Sequence, residues 1–410
     1  MNKKNPLTAF LGNEKWQWLS IPVFAVVLSI VAGSVVMLLM GKNPLAAYVG
    51  ILQGAGLVPK PNYAGGTGML TDFTSFLDAL APMIFAALAV TVGFRAGLFN
   101  IGIAGQMLLA GFFATLLVGY SDLPWYLAKP LVLIIAVTAG ALAAGLVGYL
   151  KHRFNISEVV STIMMNYIIA YVTSYYIKSY FVNPVSRQSE YIQPAASLTL
   201  KNLRVGGVRI DVSIGIVLAV AAALLVYYLL YKTRLGFEIK AVGANKQAAE
   251  YAGIHIGKTT VTAMMISGGL AGLAGATFYL GHYASMQPGV LAGLGYDAIA
   301  TSLLGNNHPL GVLLASVLIT TLDKGATYMS SKVGVVREIS GVITSLILLF
   351  SATGTYIRYR VNRQRQEQKE QQEHREPPEE QSASPAPGEV SAQQVEKSRE
   401  ANLKEGGDEA

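Results

Sequence analysis

Few side chains in this sequence could do chemistry, and most of them stand inside apolar stretches. Asn100 and Gln106 lie in GFRAGLFNIGIAGQ, Asn166 in SEVVSTIMMNY, and Asp297 in an apolar run that breaks at Gly305-Asn306-Asn307-His308-Pro309. Ionisable groups are costly in hydrocarbon, so Glu158 and Asp297 are expected to face a bundle interior or water. Arg95 to Gln106 interrupts its apolar surroundings with a charge, glycines and two amides. Backbone freed in that way inside a bilayer persists only where protein or a watery cavity satisfies it. A polar passage lined by Asn100, Gln106, Asn166 and Asp297 is therefore expected, with helix packing the competing role for each. Catalysis ranks far behind, because no HExxH, paired-Asp or Ser/His arrangement stands among the apolar segments. No metal site and no cofactor are expected.

A second group of residues reads as a contact surface. Tyr231 to Thr260 is hydrophilic, carries Lys232, Arg234, Lys240, Lys246 and Lys258, and separates two long charge-free segments. Within it Asn245 is placed to cap a short helix containing Ala248, Ala249, Glu250, Tyr251 and Ala252. Gly243 and Gly253 flank that helix as turn positions. Small side chains would let another protein approach the backbone closely, so docking is favoured over a plain basic loop. Gly253 to Thr260 (GIHIGKTT) looks like the phosphate loop G-x-x-x-x-G-K-[ST], but position 252 is Ala and no apolar strand precedes it. ATP hydrolysis by this chain itself is not expected.

The elements that must position these residues follow from composition. Hydrophobic residues make up 52 % and charged residues 13 %, against about 25 % charged in soluble domains. Most of the chain thus belongs in a bilayer. Twelve of the 24 acidic and seven of the 31 basic residues lie after Arg360, which leaves the body strongly basic. In a membrane protein that excess flanks helices on the cytosolic side and does not imply nucleic-acid binding. The absence of cysteine excludes disulfides.

The expected architecture is all-α and polytopic, with about ten transmembrane helices. Residues 1–19 form a cytosolic N-terminal segment, and Ser20 to Met40 is a retained first span rather than a cleaved signal. Further apolar segments run over 79–94, 96–121, 130–150, 159–177, 212–231, 260–282, 291–304, 309–322 and 339–357, separated by polar loops such as 178–210. Leu45 to Leu57 is placed along the membrane. An eight-span chain with a re-entrant region near Asn306 is the alternative. Glycines 268, 269, 272 and 275 read as a helix-packing device. The interruptions at 95–106, 293–297 and 305–309 suggest an internal inverted repeat, one half near 79–182 and the other near 259–357. Residues 358–410, with no aromatic after Tyr359, form a disordered cytosolic tail. Basic residues put both termini and the loops at Lys151 and Lys246 in the cytosol, with 185–205 outside.

Three stretches in order carry a resemblance: GFRAGLFNIGIAGQ, SEVVSTIMMNY and LGFEIKAVGANKQAAEYAGI. Over roughly Ile21 to Ile357 the chain resembles permease subunits of bacterial ABC importers, in the branched-chain amino acid, ribose and nucleoside group, and most of all the nucleoside branch. The resemblance implies a membrane subunit of the cell membrane that forms a translocation pathway and does not hydrolyse ATP. It implies as partners ABC ATPase subunits docking on a coupling loop at 232–258, a second permease subunit in a heterodimer, an extracellular lipoprotein solute-binding protein, and a small-molecule substrate. Branched-chain amino acids or sugars are the alternative cargo, and an ion-coupled secondary transporter is the alternative mechanism. In that family a Glu usually follows NIG before Gly-Gln; here the position is Ala104, so no role passes to a carboxylate there.

Overall fold

The computed structural model describes residues 17–63, 66–205, 207–352 and Arg363. The expectations for the N-terminal segment before Gln17 and for the tail after Ala352 fall outside these residues. The chain is mostly helical. In order come α1 (Gln17–Leu39), α2 (Pro44–Gly54), α3 (Met69–Arg95), α4 (Ile103–Ala114, continued by a π-helical turn to Gly119), α5 (Trp125–Phe154) and α6 (Glu158–Tyr176, with a π-helical turn to Phe181). Strands β1 (Thr199–Val205) and β2 (Val208–Ser213) follow. Then come α7 (Ile214–Lys232), α8 (Arg234–Ala244), α9 (Lys246–Tyr251), α10 (Ile256–Thr277, π-helical to Tyr283), α11 (Leu294–Leu304), α12 (Pro309–Val333) and α13 (Glu338–Ala352).

Six helices among the described residues are long and apolar enough to cross a membrane, within α1, α3, α5, α7, α10 and α12; residues 103–119 and 338–351 make shorter apolar helices. The chain is thus a multi-pass membrane protein. The count of ten is not reached on length and apolarity. One reason is α11: its 11 residues rise about 16 Å, half the hydrocarbon thickness. Another unexpected feature is α2, which packs lengthwise on α12 with Gly50 against Met329 and Gly54 against Gly325.

The core helix is α3. Its residues from Leu80 to Gly93 are all buried, and α10, α7, α11 and α12 surround it. By contrast α1 exposes Val23, Val27, Val31 and Val35, an i, i+4 apolar stripe suited to lipid. Glycine governs the close crossing of α5 with α10. A Cβ at Gly268 would strike the Gly140 carbonyl, and one at Gly272 the Ala136 carbonyl. The packing role expected for this glycine series is what the structure contains.

The all-α expectation needs one correction. Residues 199–210, placed in a polar loop, and the start of the span expected from Val212 form an antiparallel hairpin pairing Thr199 with Ser213, Leu200 with Val212 and Val205 with Val208, with an irregularity between Leu200 and Leu203. The reason is local: β2 reads VRIDVS, alternating β-branched and polar residues as a half-buried strand does. The turn uses Gly207 at φ +81°. The hairpin marks one end of the bundle; Arg95, Lys151 to Arg153 and the α8–α9 segment mark the other.

Candidate pathway and coupling site

After Arg95 the chain does not leave the bundle but turns back into it. Gly97, at φ +68°, allows the reversal, and a loop over 96–102 leads to α4. This loop hangs on two amide side chains that reciprocate: Asn100 Nδ2 donates to Gln106 Oε1 and Gln106 Nε2 donates to Asn100 Oδ1, each 3.1 Å. Asn100 Oδ1 also accepts the Gly102 N–H at 3.0 Å, and its Nδ2 also donates to Ser267 Oγ at 3.1 Å. Asn166 completes the cradle from α6. Its Oδ1 accepts the Gly105 N–H at 2.9 Å and its Nδ2 donates to the Ile101 carbonyl at 3.0 Å. The three amides are 1–2 % exposed. Asn166 lies eight residues along α6, about 12 Å from that helix's start, so the broken backbone sits well inside the bundle.

The arrangement brings three of the four predicted passage residues together and separates the fourth. Asn100 spends all its hydrogen-bonding capacity on protein groups, while Gln106 and Asn166 each keep one spare N–H. Asp297 lies in the first turn of α11, and its carboxylate makes no hydrogen bond or ion pair among the described residues. The link between the two places is backbone: a Cβ on Gly295 would come within 2.7–2.8 Å of the Ala104 backbone and Cβ. Ala104 itself is fully buried, so this contact has no room for a longer side chain at 104. Glu158 is accounted for by an ion pair with Lys151, which joins the end of α5 to the start of α6.

Sequence reading missed Asp78 and His282. Asp78, buried in α3, accepts from Thr199 Oγ1 and lies 3.0 Å from His282 Nδ1. It ties the hairpin and the π-helical end of α10 to the core helix. The signal was present: Asp78 precedes a long uncharged run, and a carboxylate there must find partners.

At the opposite end the chain forms two short helices, α8 and α9, of which the sequence predicted only the second, capped by Asn245. Thr233 Oγ1 caps α8 by accepting the Gly236 N–H at 3.2 Å, and Asn245 Oδ1 caps α9 by accepting the Ala248 N–H at 3.0 Å. Gly243 lies so close to the Arg95 carbonyl that a Cβ would overlap it. The faces of α9 differ from the small-sided surface that composition suggested. Ala249 points inward at 3 % exposure, whereas Tyr251 is 95 % exposed. Glu250 and Ala252 are also exposed, and Gly253 turns the chain at φ +79° with open space about it. The GKTT segment holds no cradle. Gly257 is pressed against the His152 ring, and the segment opens α10. Beside this end the His308 ring packs at a tilt against Tyr227 and Tyr231, with centroids 5.7 and 5.2 Å away. Burial, then the Arg95 charge, hold its imidazole below the usual pKa.

The chain is similar to known transporter permeases over most of its length. The guanosine ABC transporter permease protein NupP of Bacillus subtilis is 38 % identical over 83 % of this chain and 95 % of its own length. The nucleoside ABC transporter permease protein NupB of Lactococcus lactis subsp. cremoris is 32 % identical over 83 % and 92 %. The glucose ABC transporter permease protein TsgB13 of Haloferax volcanii is 30 % identical over 84 % and 90 %. Residues 73–352, from the core helix to the end of α13, match the family described as the permease component of branched-chain amino acid transport systems, and the chain belongs to that family.

Proposed function

We propose that this chain is the membrane-spanning permease subunit of an ATP-driven importer for nucleosides. The observation that carries the reading is the 38 % identity, along nearly the whole of both chains, to a permease named for guanosine. A relative named for glucose is more distant at 30 %. The α8–α9 pair, projecting Tyr251 from the basic end, supports docking of an ATPase subunit there. In this reading that end and both termini lie in the cytosol, and the hairpin lies outside, facing a solute-binding protein. A second permease subunit completes the route. The order long helix, interruption, short helix recurs as α3–α4 and α10–α11, which supports an inverted repeat.

In this reading the solute path runs beside the two interruptions, with Asp297 presenting the free polar group and the Asn100, Gln106 and Asn166 cradle supporting the wall. ATP binding on the partner moves α8 and α9 and shifts the permease between outward- and inward-open states.

The test is reconstitution in vesicles with the ATPase, the second permease and the binding protein. Guanosine uptake is expected to require internal ATP and to be competed by nucleosides rather than by glucose or leucine. Uptake that follows an ion gradient without ATP would identify a secondary carrier. Tyr251→Ala tests the docking surface: an exposed aromatic anchor contributes about 2 kcal/mol to an interface, so ATPase affinity should drop roughly 30-fold with membrane insertion unchanged.

A further inference from the structure

Arg95 holds three separate pieces of the protein at one point. It is the last residue of α3, and its Nε donates to the Asn307 carbonyl at 2.8 Å while one terminal nitrogen donates to Tyr231 Oη at 3.1 Å. The same nitrogen lies 3.5 Å from the Asn306 carbonyl. Both asparagines adopt left-handed backbone, φ 55° and 51°, in the tight turn between α11 and α12. Such residues are uncommon outside glycine, although Asn tolerates the region. Here the conformation presents consecutive carbonyls to one guanidinium, whose planar fork suits more than one acceptor.

The turn is tied in turn to the core. Asn307 Oδ1 accepts from Ser302 Oγ at 2.9 Å, and Ser302 Oγ shares a 2.7 Å hydrogen bond with Thr91 Oγ1 of α3. On the other side Tyr231, at the end of α7, lies under Lys240 of α8, whose ammonium is 4.6 Å from the ring centroid. The α8 backbone at Gly243 rests directly on the Arg95 carbonyl and on Gly97. A displacement of α8 therefore bears on Arg95 through its main chain and through Tyr231. Arg95 in turn grips the end of α11, the helix whose opposite end carries Asp297 and touches Ala104.

We propose that Arg95 is a positioning residue that transmits movement of the α8–α9 pair to α11, so that ATP turnover on the partner changes the exposure of Asp297. This rests on the reading of α8–α9 as the ATPase-docking element. It adds that force reaches the passage through the α11–α12 turn as well as through the helices continuous with α8 and α9.

The experiment uses the complete reconstituted transporter and reads solute moved per ATP hydrolysed. Arg95→Lys keeps the charge but loses the fork, and losing a charged hydrogen bond corresponds to roughly tenfold or more. The expected result is about a tenfold fall in solute per ATP with ATPase co-purification within about twofold of wild type. Tyr231→Phe, a gentler change, should lower the same ratio about threefold. Combining the two should cost no more than Arg95→Lys alone, since they break one chain of contacts. An unchanged ratio, whether or not uptake and hydrolysis fall together, or loss of the ATPase from the complex would each overturn the proposal, the first by leaving Arg95 a purely structural role. Wild-type vesicles that transport without ATP would remove the importer reading itself, and this proposal with it, before any variant is compared.

Discussion

The two interruptions of the bundle are built on opposite principles. After α3 the reversed segment is lashed down: Asn100, Gln106 and Asn166 answer the exposed backbone of residues 101, 102 and 105 with five hydrogen bonds, counting the amide–amide pair. After α10 the chain also turns back, through Ala284 at φ 61° and Gly289 at φ 76°, and restarts as α11. That helix begins with a carboxylate that has no partner among the described residues. One break is a closed polar cradle, and the other is held at its far end by Arg95 and left open at its near end. Polar groups hydrogen-bonded inside a protein rigidify it, whereas an unpaired one is costly. The first break thus reads as a fixed wall and the second as the part that responds.

The contrast can be broken most severely at Asn166. Asn166→Leu would orphan the Gly105 N–H and the Ile101 carbonyl, each costing about 1–3 kcal/mol when buried. A loss of roughly 2–6 kcal/mol should lower the melting temperature in detergent, with uptake lost together with folded protein. A fully stable but inactive Asn166→Leu would instead make this amide a solute contact. A smaller effect is expected at the junction of the two breaks. Gly295→Ala inserts a methyl against Ala104, and overpacking of this kind costs about 1–3 kcal/mol. Melting should show that loss, and unchanged melting would mean that the two breaks are not in tight contact. The smallest change in stability belongs to Asp297→Asn, which removes a charge without removing a bond. Melting should stay within about 0.5 kcal/mol of wild type, as for substitutions that break no buried contact, while the uptake rate falls. Equal stability losses for Asp297→Asn and Asn166→Leu would end the distinction between wall and moving part.

Much of this was legible in the chain itself. Long uncharged segments, Asn245 ahead of an alanine-rich turn, and the glycine series at 268–275 correspond to membrane-length helices, a capped α9 and a tight α5–α10 crossing. Each signal is local: a span is a matter of length, a cap needs only three residues, and a small residue on a helix face permits close approach whatever the neighbour. The family was legible for the same reason, because its three motifs are contiguous stretches.

What tertiary structure decided was which polar groups are spent and which are free. Sequence placed Asn100, Gln106, Asn166 and Asp297 in one class, since all four are polar residues in apolar surroundings. Only the fold shows Asn166 bonded to backbone from another segment, Asn100 and Gln106 bonded chiefly to each other, and Asp297 unbonded among the described residues. It likewise turned Ala249 inward and Tyr251 outward, because a two-turn helix flanked by turns has no periodicity long enough to declare its buried side. The partners of Asp78 stand 121 and 204 positions away in sequence, and those of Arg95 stand 136 to 212 away. Hydrogen bonding is directional and acts over about 3 Å, so such pairings exist only once packing has brought distant segments into contact.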